Sequence, residues 1–250
     1  MPAKSAYRAM EILEFFAECR REASVKEISH ALGYPQSSTS VLLNTLVEAG
    51  YFDRDPLNGR FIPNVRVLLA VEWIGEQLFS EKSLFRLMEN VRAETSFTVM
   101  VGTQQGAHVR YLHVLQSPRE GRFLTKIGAL RPLFRSAAGK MLLTLKPERE
   151  VALLLRRANA LEKEATNRIE FATVVRETEE ARRLGYTVSL GTAQPGAAAL
   201  AILLPVPRGH NALTLSVGGP INEILAGKQN LADFLNRAID NFRRAADRTL

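Results

Sequence analysis

Small polar side chains are concentrated at one point of the chain, the run QSSTS at positions 36–40, and Asn44 follows one helical turn later. At the start of a helix such residues have two uses. They can cap the free N–H groups of the first turn, or they can form a surface that binds something outside the protein. For the second use DNA is a fitting partner, because Asn and Gln pair bidentately with adenine and Ser bonds bases or phosphates.

Residue types that support catalysis or metal binding are sparse. Cys19 is the only cysteine, which excludes an intrachain disulfide and a Cys-rich zinc site. His108 and His113 are five residues apart on a predicted strand and therefore face opposite sides. Gly139-Lys140 lacks the rest of a phosphate-binding loop, so we interpret it as a helix-packing glycine and a surface lysine. We expect no catalytic residues, no cofactor and no metal site.

Length and charge set limits on the class of protein. A chain of 250 residues is long enough for one large or two ordinary domains. No apolar run approaches the ~18 residues of a membrane span, and no secretory signal begins the chain, so we expect a cytoplasmic protein with no membrane partner. The net charge is +7, but residues 1–63 hold 7 Lys and Arg against 8 Asp and Glu. Overall charge therefore does not identify a DNA-binding region.

The amino-terminal quarter of the chain is predicted to form three helices and a hairpin. Ser24, with Glu27 three residues later, is typical of a capping box at the start of the second helix. Gly33 is typical of the residue that ends such a helix, and a third helix is predicted at about 37–49. Two strands around an Asn-Gly turn follow at 51–63. This order predicts a winged helix-turn-helix.

The third helix is predicted to have two faces. One arc holds the residues that we expect to pack on the first two helices: Thr39, Leu42, Leu43, Leu46 and Ala49. The opposite arc is polar, and we expect it to enter the major groove of double-stranded DNA. The predicted DNA contacts on this helix and the hairpin are Gln36, Ser37, Ser38, Ser40, Asn44, Arg54 and Arg60.

This predicted surface carries little positive charge. No Lys or Arg occurs between Lys26 and Arg54, so contacts to the DNA backbone must come from these two residues and from Arg8 and Arg60. Because few phosphates are then neutralised, we expect DNA binding to depend only weakly on salt concentration.

The chain changes character after the hairpin. A mostly apolar segment at 64–82 predicts a linker helix that also pairs with a second protomer. Residues 83–250 contain a hairpin around Gln105-Gly106, several helices and three further strands joined by short turns. This pattern predicts an α+β domain with an antiparallel sheet. The expected organisation is a winged helix-turn-helix DNA-binding domain at 1–63, the linker at 64–82 and an effector-binding domain at 83–250.

These features resemble the IclR family of bacterial transcription regulators. The resemblance is carried by GYPQSSTSVLLNTLVEAGYFDRDPLNGRF at 33–61, GALRPLFRSAAGKMLL at 128–143, LGYTVSLGTAQPGAAALAILLPV at 184–206 and LSVGGP at 215–220. It implies a GAF-like domain that binds a small organic acid, and assembly into homodimers or tetramers. It also implies control of nearby catabolic genes, and we expect a repressor.

The resemblance also implies where the effector binds: Gly128, Ala129, Ser189, Ala199, Ser216 and Gly218. The backbone N–H groups of the first two would receive a carboxylate or carbonyl. This set has no charged side chain, which suits a neutral or singly anionic ligand with an apolar body. The family often has more polar residues where this chain has Thr192, Ala199 and Gly218. We therefore expect a larger and more apolar effector, such as an aromatic acid.

Two alternatives stay open at this stage. The α+β domain could be an enzyme with an accessory DNA-binding module, and a pocket carboxylate with a raised pKa beside a hydroxyl would favour that reading. The protein could also be a structural DNA-binding protein whose large domain only oligomerises. The absence of a cavity between the Gly128 loop and the strands of Ser189 and Ser216 would favour this second alternative.

Overall fold

The computed structural model describes residues 4–79, 84–119, 124–192, 195–206 and 209–246. Contacts between Cα atoms divide the chain into two compact units, Met1–Glu76 and Gln77–Leu250. Both units combine helices with antiparallel strands, and the α+β class expected from the sequence is confirmed. The finer domain boundaries stay predictions.

The first unit is a three-helix arrangement followed by a hairpin and a further helix. Its elements are α1 (Lys4–Cys19), α2 (Val25–Leu32), α3 (Gln36–Glu48), β1 (Phe52–Arg54), β2 (Phe61–Pro63) and α4 (Val65–Phe79). The capping box is present, because the Ser24 hydroxyl accepts from the backbone N–H of Glu27 and the Glu27 carboxylate accepts from that of Ser24. Gly33 ends α2 with a φ of 70°, a conformation that favours glycine.

An apolar core holds α3 in place. The buried members of this core come from all three helices, both strands and the segment between α1 and α2: Ile12, Phe16, Ala23, Ile28, Leu43, Phe52 and Phe61. On α3 itself Thr39 and Leu43 are completely buried, and Leu42 and Leu46 are half-buried. Ala49 differs from the expectation, because it is the carboxyl-terminal cap of the helix and is exposed. The packed side of α3 is otherwise the predicted one.

The second unit is built on one antiparallel sheet. Its elements are α5 (Leu84–Thr95), β3 (Thr98–Gln105), β4 (His108–Leu115), β5 (Leu130–Pro132), α6 (Ala137–Leu143), α7 (Glu148–Leu161), α8 (Phe171–Leu184), β6 (Thr187–Leu190), β7 (Ala197–Leu204), β8 (Leu213–Pro220) and α9 (Ile221–Ala246). The strand order is β5-β4-β3-β8-β7-β6. The sequence pattern missed β5 and α6, which are only three and seven residues long.

Each face of this sheet is covered by a different set of helices. Alternating residues of the strands, such as Val99, Leu200 and Val217, form one core with α5 and α9. Residues that face the other way, such as Met100 and Ala201, form a second core with α6, α7 and α8. The period-two alternation of a strand therefore assigns every side chain to one of two cores.

The exposed face of α4 is apolar. Val65, Leu68 and Leu69 are at least 60% exposed, and Val71 is 48% exposed. The sequence also predicts Ile74, Gly75 and Leu78 on an apolar stripe of this linker helix, but their side chains lie outside the described residues. Within the described part of the chain, no helix combines the length and apolar character that a membrane span requires.

Gly139 provides a test of the packing between α6 and the segment before it. A Cβ at this position would lie 1.9 Å from the carbonyl oxygen of Leu133. Alanine favours a helix over glycine by about 1 kcal/mol, but overpacking costs about 1–3 kcal/mol or more. We expect Gly139→Ala to lower the melting temperature measured by circular dichroism. Gly227→Ala in α9 is the control, because a Cβ there meets nothing within 4 Å, and it should leave the melting temperature equal or higher.

Candidate functional site

The exposed side of α3 carries the polar residues identified in the sequence. Gln36 and Ser37 are exposed, while Ser38, Ser40 and Asn44 are half-buried. None of the five is enclosed in the interior. The helix therefore presents these side chains along its length, with the fullest exposure at its amino-terminal end.

Capping does not account for this polar run. The residue before α3 is Pro35, which makes no side-chain cap hydrogen bond. Among the described residues no hydrogen bond joins the side chains of Gln36, Ser37 or Asn44 to the rest of the protein. The threonines of α3 differ: the Thr45 hydroxyl, for example, donates to the carbonyl oxygen of Val41 at 2.9 Å. The polar side chains of the exposed face thus keep their hydrogen-bonding capacity for a partner.

The two hairpin arginines have different surroundings. Arg54 is exposed, and its guanidinium lies 5.4 Å from the centre of the Phe61 ring. Arg60 instead forms ion pairs with Glu27 at 2.6 Å and with Glu22 at 3.3 Å. To bind a phosphate Arg60 must leave two carboxylates, whereas Arg54 has no ion-pair partner among the described residues. The prediction that both arginines contact DNA therefore has more support at Arg54.

Among the other cations near α3, Lys26 is exposed and has no ion pair within the described chain. The guanidinium of Arg8 stacks over the Tyr34 ring at 4.5 Å. The Tyr34 hydroxyl in turn donates to the Glu11 carboxylate. Arg8 therefore has a structural role at the turn between α2 and α3.

Glu27 connects the start of α2 to the hairpin. Its carboxylate accepts from the backbone N–H and hydroxyl of Ser24, and it also binds Arg21 at 2.9 Å and Arg60 at 2.6 Å. The Ser24 hydrogen bonds are the largest cause of a lowered pKa, and the arginines add to it, so the pKa of Glu27 falls from 4.5 to about 2. The negative charge of Glu27 thus stabilises the hairpin against the helices.

A pocket lies over the sheet of the second unit, on the face that carries Met100. Its floor is a row of small residues in register across four strands: Ser189 pairs with Ala199, Ala199 with Gly218, and Gly218 with Thr98. A Cβ on Gly218 would lie 3.2 Å from the Met100 methyl group. The small side chains therefore leave the space that the pocket occupies.

The pocket is narrow and mostly apolar. Its cavity volume is about 50 Å³, well below the roughly 300–1,000 Å³ that is usual for small-molecule sites. Leu124 and Met100 are among the apolar walls. A ligand larger than a few atoms must be flat or must displace side chains.

The sequence analysis missed the charged group of this pocket. Arg131, on the short strand β5, lines the pocket, whereas the contacts expected from the sequence included no charged side chain. Its Nη2 donates to the Thr125 hydroxyl at 3.2 Å, whereas its buried Nε has no hydrogen-bond partner among the described residues. The sequence pattern gave no sign of this role, because β5 is only three residues long and was not predicted.

Two hydroxyl groups in the pocket wall are also available. Tyr111 and Ser189 are at most 6% exposed and line the pocket, and no described residue forms a hydrogen bond with either hydroxyl. Burial raises the pKa of Tyr111, while Arg131 acts in the opposite direction, so the phenol stays protonated at neutral pH and can donate a hydrogen bond. The hydroxyl of Thr192 is already used, because it donates to the Arg135 carbonyl at 3.0 Å.

Three of the expected effector contacts do not line the pocket. The backbone N–H of Gly128 donates to the Tyr111 carbonyl at 2.8 Å, and that of Ala129 donates to the Lys126 carbonyl at 3.1 Å. Neither N–H is therefore free to receive a carboxylate, which differs from the expectation drawn from the resemblance. Ser216 is completely buried between its cross-strand neighbours and lies outside the pocket lining. Ser189, Ala199 and Gly218 do line the pocket.

The described residues contain no group of side chains that could hold a metal ion, and the pocket lining contains no carboxylate. No group of three or more His, Cys, Asp or Glu side chains there is arranged to hold a metal ion. The pocket lining described above contains no Asp or Glu, and its charged side chain is Arg131. The feature that would have favoured an enzyme is not found at this site.

Comparison with protein families decides the assignment. The IclR helix-turn-helix domain matches residues 5–56, and the model described as "Bacterial transcriptional regulator IclR C-terminal" matches residues 81–242. The chain belongs to the IclR family. It is thus a bacterial transcription regulator with a DNA-binding helix-turn-helix, as the sequence motifs predicted.

Individual relatives are distant. The transcriptional repressor AllR of Escherichia coli K12 is 24% identical over 226 residues, which cover 89% of this chain and 82% of AllR. The regulator XynR of the same strain is 25% identical over 152 residues, and the match covers 61% of this chain and only 60% of XynR. These relatives are named transcriptional regulators, which fits a protein that is not an enzyme.

Solved structures of the IclR family share the fold. A crystal structure of an IclR homologue from Microbacterium hydrocarbonoxydans, complexed with 4-hydroxybenzoate, has a TM-score of 0.61 at 17% identity. The match covers 97% of this chain and all of the other. At this identity the likeness concerns the fold alone.

The low pKa of Glu27 gives a pH prediction. Because its pKa is lowered from 4.5 to about 2, its contribution to stability is complete above pH 4.5 and is lost as the pH falls toward 2. Glu27→Gln keeps a side chain that can accept the capping hydrogen bond but removes the charge. Between pH 5 and pH 2, we expect the melting temperature of this variant to fall less than that of the unmodified protein.

The control for this experiment is Glu14→Gln on α1, which removes an exposed carboxylate that has no ion pair among the described residues. This variant should keep the acid sensitivity of the unmodified protein. Equal acid sensitivity of Glu27→Gln and Glu14→Gln would contradict the role assigned to Glu27.

Proposed function

We propose that this IclR-family protein is a repressor of nearby catabolic genes that binds an operator through α3 and is regulated by a small organic acid, aromatic in character. The proposal is carried by one observation. The pocket of the second unit places a half-buried arginine, whose buried Nε has no hydrogen-bond partner among the described residues, and two unpaired hydroxyl groups on a mostly apolar wall. Repression is in keeping with AllR, which is named a repressor.

DNA recognition is assigned to the exposed side of α3. Gln36 and Asn44 can pair bidentately with adenine, and Ser37, Ser38 and Ser40 can bond bases or phosphates. The uncapped amino terminus of α3 leaves free N–H groups, which favour a phosphate oxygen. Arg54 and Lys26 supply the charge for further backbone contacts, while Arg60 acts mainly within the protein.

The effector carboxylate is assigned to Arg131. A charged guanidinium with a free Nε is the strongest hydrogen-bond donor for a carboxylate, and the Tyr111 and Ser189 hydroxyls supply neutral donors beside it. Ala199, Gly218 and the apolar walls suit a flat hydrocarbon body. The homologue from Microbacterium hydrocarbonoxydans was crystallised with 4-hydroxybenzoate, a molecule of this shape and charge.

The two alternatives have less support. A structural DNA-binding protein without an effector has no need of a pocket that holds unpaired polar groups. An enzyme that used the Ser189 hydroxyl as a nucleophile would need a base to activate it, and the pocket lining contains no Asp, Glu or His. Both observations favour a binding site over a catalytic one.

Assembly is proposed to involve α4. Its exposed Leu68, Leu69 and Val71 form an apolar surface of the kind that a second copy of the chain would cover, giving a homodimer that can double to a tetramer. Two copies of α3 would then bind two half-sites of one operator. Because a gene regulator acts on chromosomal DNA, we also propose that the protein functions in the cytoplasm.

Asn44 tests the assignment of the DNA face. Purified protein is first used to select duplexes from a random library, and the most enriched duplex becomes the binding probe. We expect Asn44→Ala to weaken binding to this duplex by about 1–3 kcal/mol, because a bidentate base contact is lost. Asn236→Ala on the exposed side of α9 is the control and should bind normally. Full affinity and selectivity of Asn44→Ala would remove this residue from base readout.

Arg131 tests the effector site. A ligand at a hundred times its dissociation constant stabilises a protein by about 2.7 kcal/mol, so benzoate and 4-hydroxybenzoate should raise the melting temperature, whereas uncharged benzamide should not. We expect Arg131→Gln to bind these acids roughly 10- to 150-fold more weakly, since a hydrogen bond to a charged group contributes about 1.5–3 kcal/mol.

Operator binding by Arg131→Gln should be unchanged, but its response to the acid should be lost. Arg156→Gln on the exposed side of α7 removes an arginine outside the pocket and should respond as the unmodified protein does. Should Arg131→Gln keep a normal acid response, the carboxylate must bind elsewhere.

A further inference from the structure

The centre of the exposed face of α3 is not polar. Val41 is 65% exposed, and the residues one turn before and after it on this face, Ser37 and Thr45, are exposed as well. The predicted polar residues Ser40 and Asn44 lie to one side and are half-buried. An aliphatic side chain therefore occupies the most outward point of the helix that is assigned to the DNA groove.

The fold of the first unit does not require valine at position 41. Valine is a weak helix former because its β-branch restricts the side chain in a helix. At 65% exposure it also gains little from burial, and it is not a member of the core that holds Leu43. A polar residue at this position would stabilise an isolated helix at least as well.

The residues around Val41 also offer few hydrogen-bond donors and no positive charge to a partner. The Thr45 hydroxyl donates its proton to the Val41 carbonyl oxygen at 2.9 Å, so it has no proton left for an outside acceptor. The same stretch, from Glu27 to Asp53, contains no Lys or Arg. Contacts at the centre of this helix are thus limited to van der Waals contact and to the flanking hydroxyl and amide groups.

We infer that Val41 reads the C5-methyl group of a thymine in the major groove. Among the base edges exposed in that groove, the thymine methyl is the apolar group, and every other group is a hydrogen-bond donor or acceptor. An exposed aliphatic side chain gains from contact with the methyl and would desolvate a polar edge without replacing its hydrogen bonds. The half-site then has a thymine opposite Val41, flanked by positions read by Asn44 and Gln36.

This inference rests on the proposed DNA-binding face of α3, and it adds that Val41, at the centre of that face, selects a thymine. The probe is the most enriched duplex from the selection with full-length protein, in which each thymine is replaced in turn by deoxyuridine. This exchange removes one methyl group and leaves every hydrogen-bonding group unchanged. We expect one thymine per half-site at which the exchange weakens binding about fourfold, the factor for burying one methyl group.

Protein variants connect this effect to Val41. Val41→Ala should bind the thymine duplex more weakly, and its ratio of affinities for the thymine and deoxyuridine duplexes should fall to about one. Val41→Thr keeps the β-branched shape and should give an intermediate ratio. Leu153→Ala, which removes an exposed leucine of α7, is the control and should keep both the affinity and the ratio of the unmodified protein.

The outcomes separate this inference from the proposed function. If no duplex is enriched, specific operator binding itself fails. If a duplex is enriched but deoxyuridine has no effect at any thymine, or if Val41→Ala keeps the full effect, methyl readout by Val41 is overturned while operator binding stands. A change of oligomeric state in Val41→Ala, measured by light scattering, would overturn it as well by assigning the residue to a protein contact.

Discussion

Burial of one side of α3 is the contact on which the proposed DNA-binding face depends. Leu43 and Thr39 are completely enclosed by the core of the first unit. Rotation of the helix by one residue would expose Leu43, at a cost of about 1.5–3 kcal/mol, and would bury polar side chains that lack partners, at about 1–3 kcal/mol each. These costs act together, so the direction of the outward face is fixed. The side chains there are available for DNA because the fold does not use them.

Charged side chains around the hairpin of the first unit pair with one another, so fewer of its cations can bind DNA. Glu27 holds Arg60 and Arg21, and Glu22 also binds Arg60. The hairpin is thereby fixed to the helices, but one of its two arginines is largely neutralised. What remains for DNA is a surface with few cations, so recognition must depend more on shape, hydrogen bonds and apolar contact than on phosphate neutralisation.

The proposed effector pocket depends on strand register in a comparable way. Ser189, Ala199 and Gly218 are far apart in the chain and become neighbours only through the order β6-β7-β8. Their small side chains leave a gap in the second core, and the short strand β5 brings Arg131 to its edge. A cation beside an apolar gap suits the organic anion proposed above, and the proposal needs both the cation and the gap.

The sequence by itself determined most of the helices and strands, the capping box at Ser24, the exposed polar side of α3 and the family. These depend on local patterns, namely the helical and strand periods and the residues that end an element. The tertiary structure alone decided the strand order, the pocket and the partners of the charged groups. Arg60 and Arg131 look alike in the sequence, yet one is neutralised by carboxylates and the other faces a cavity. The difference arises from contacts between residues tens of positions apart, which no local pattern records.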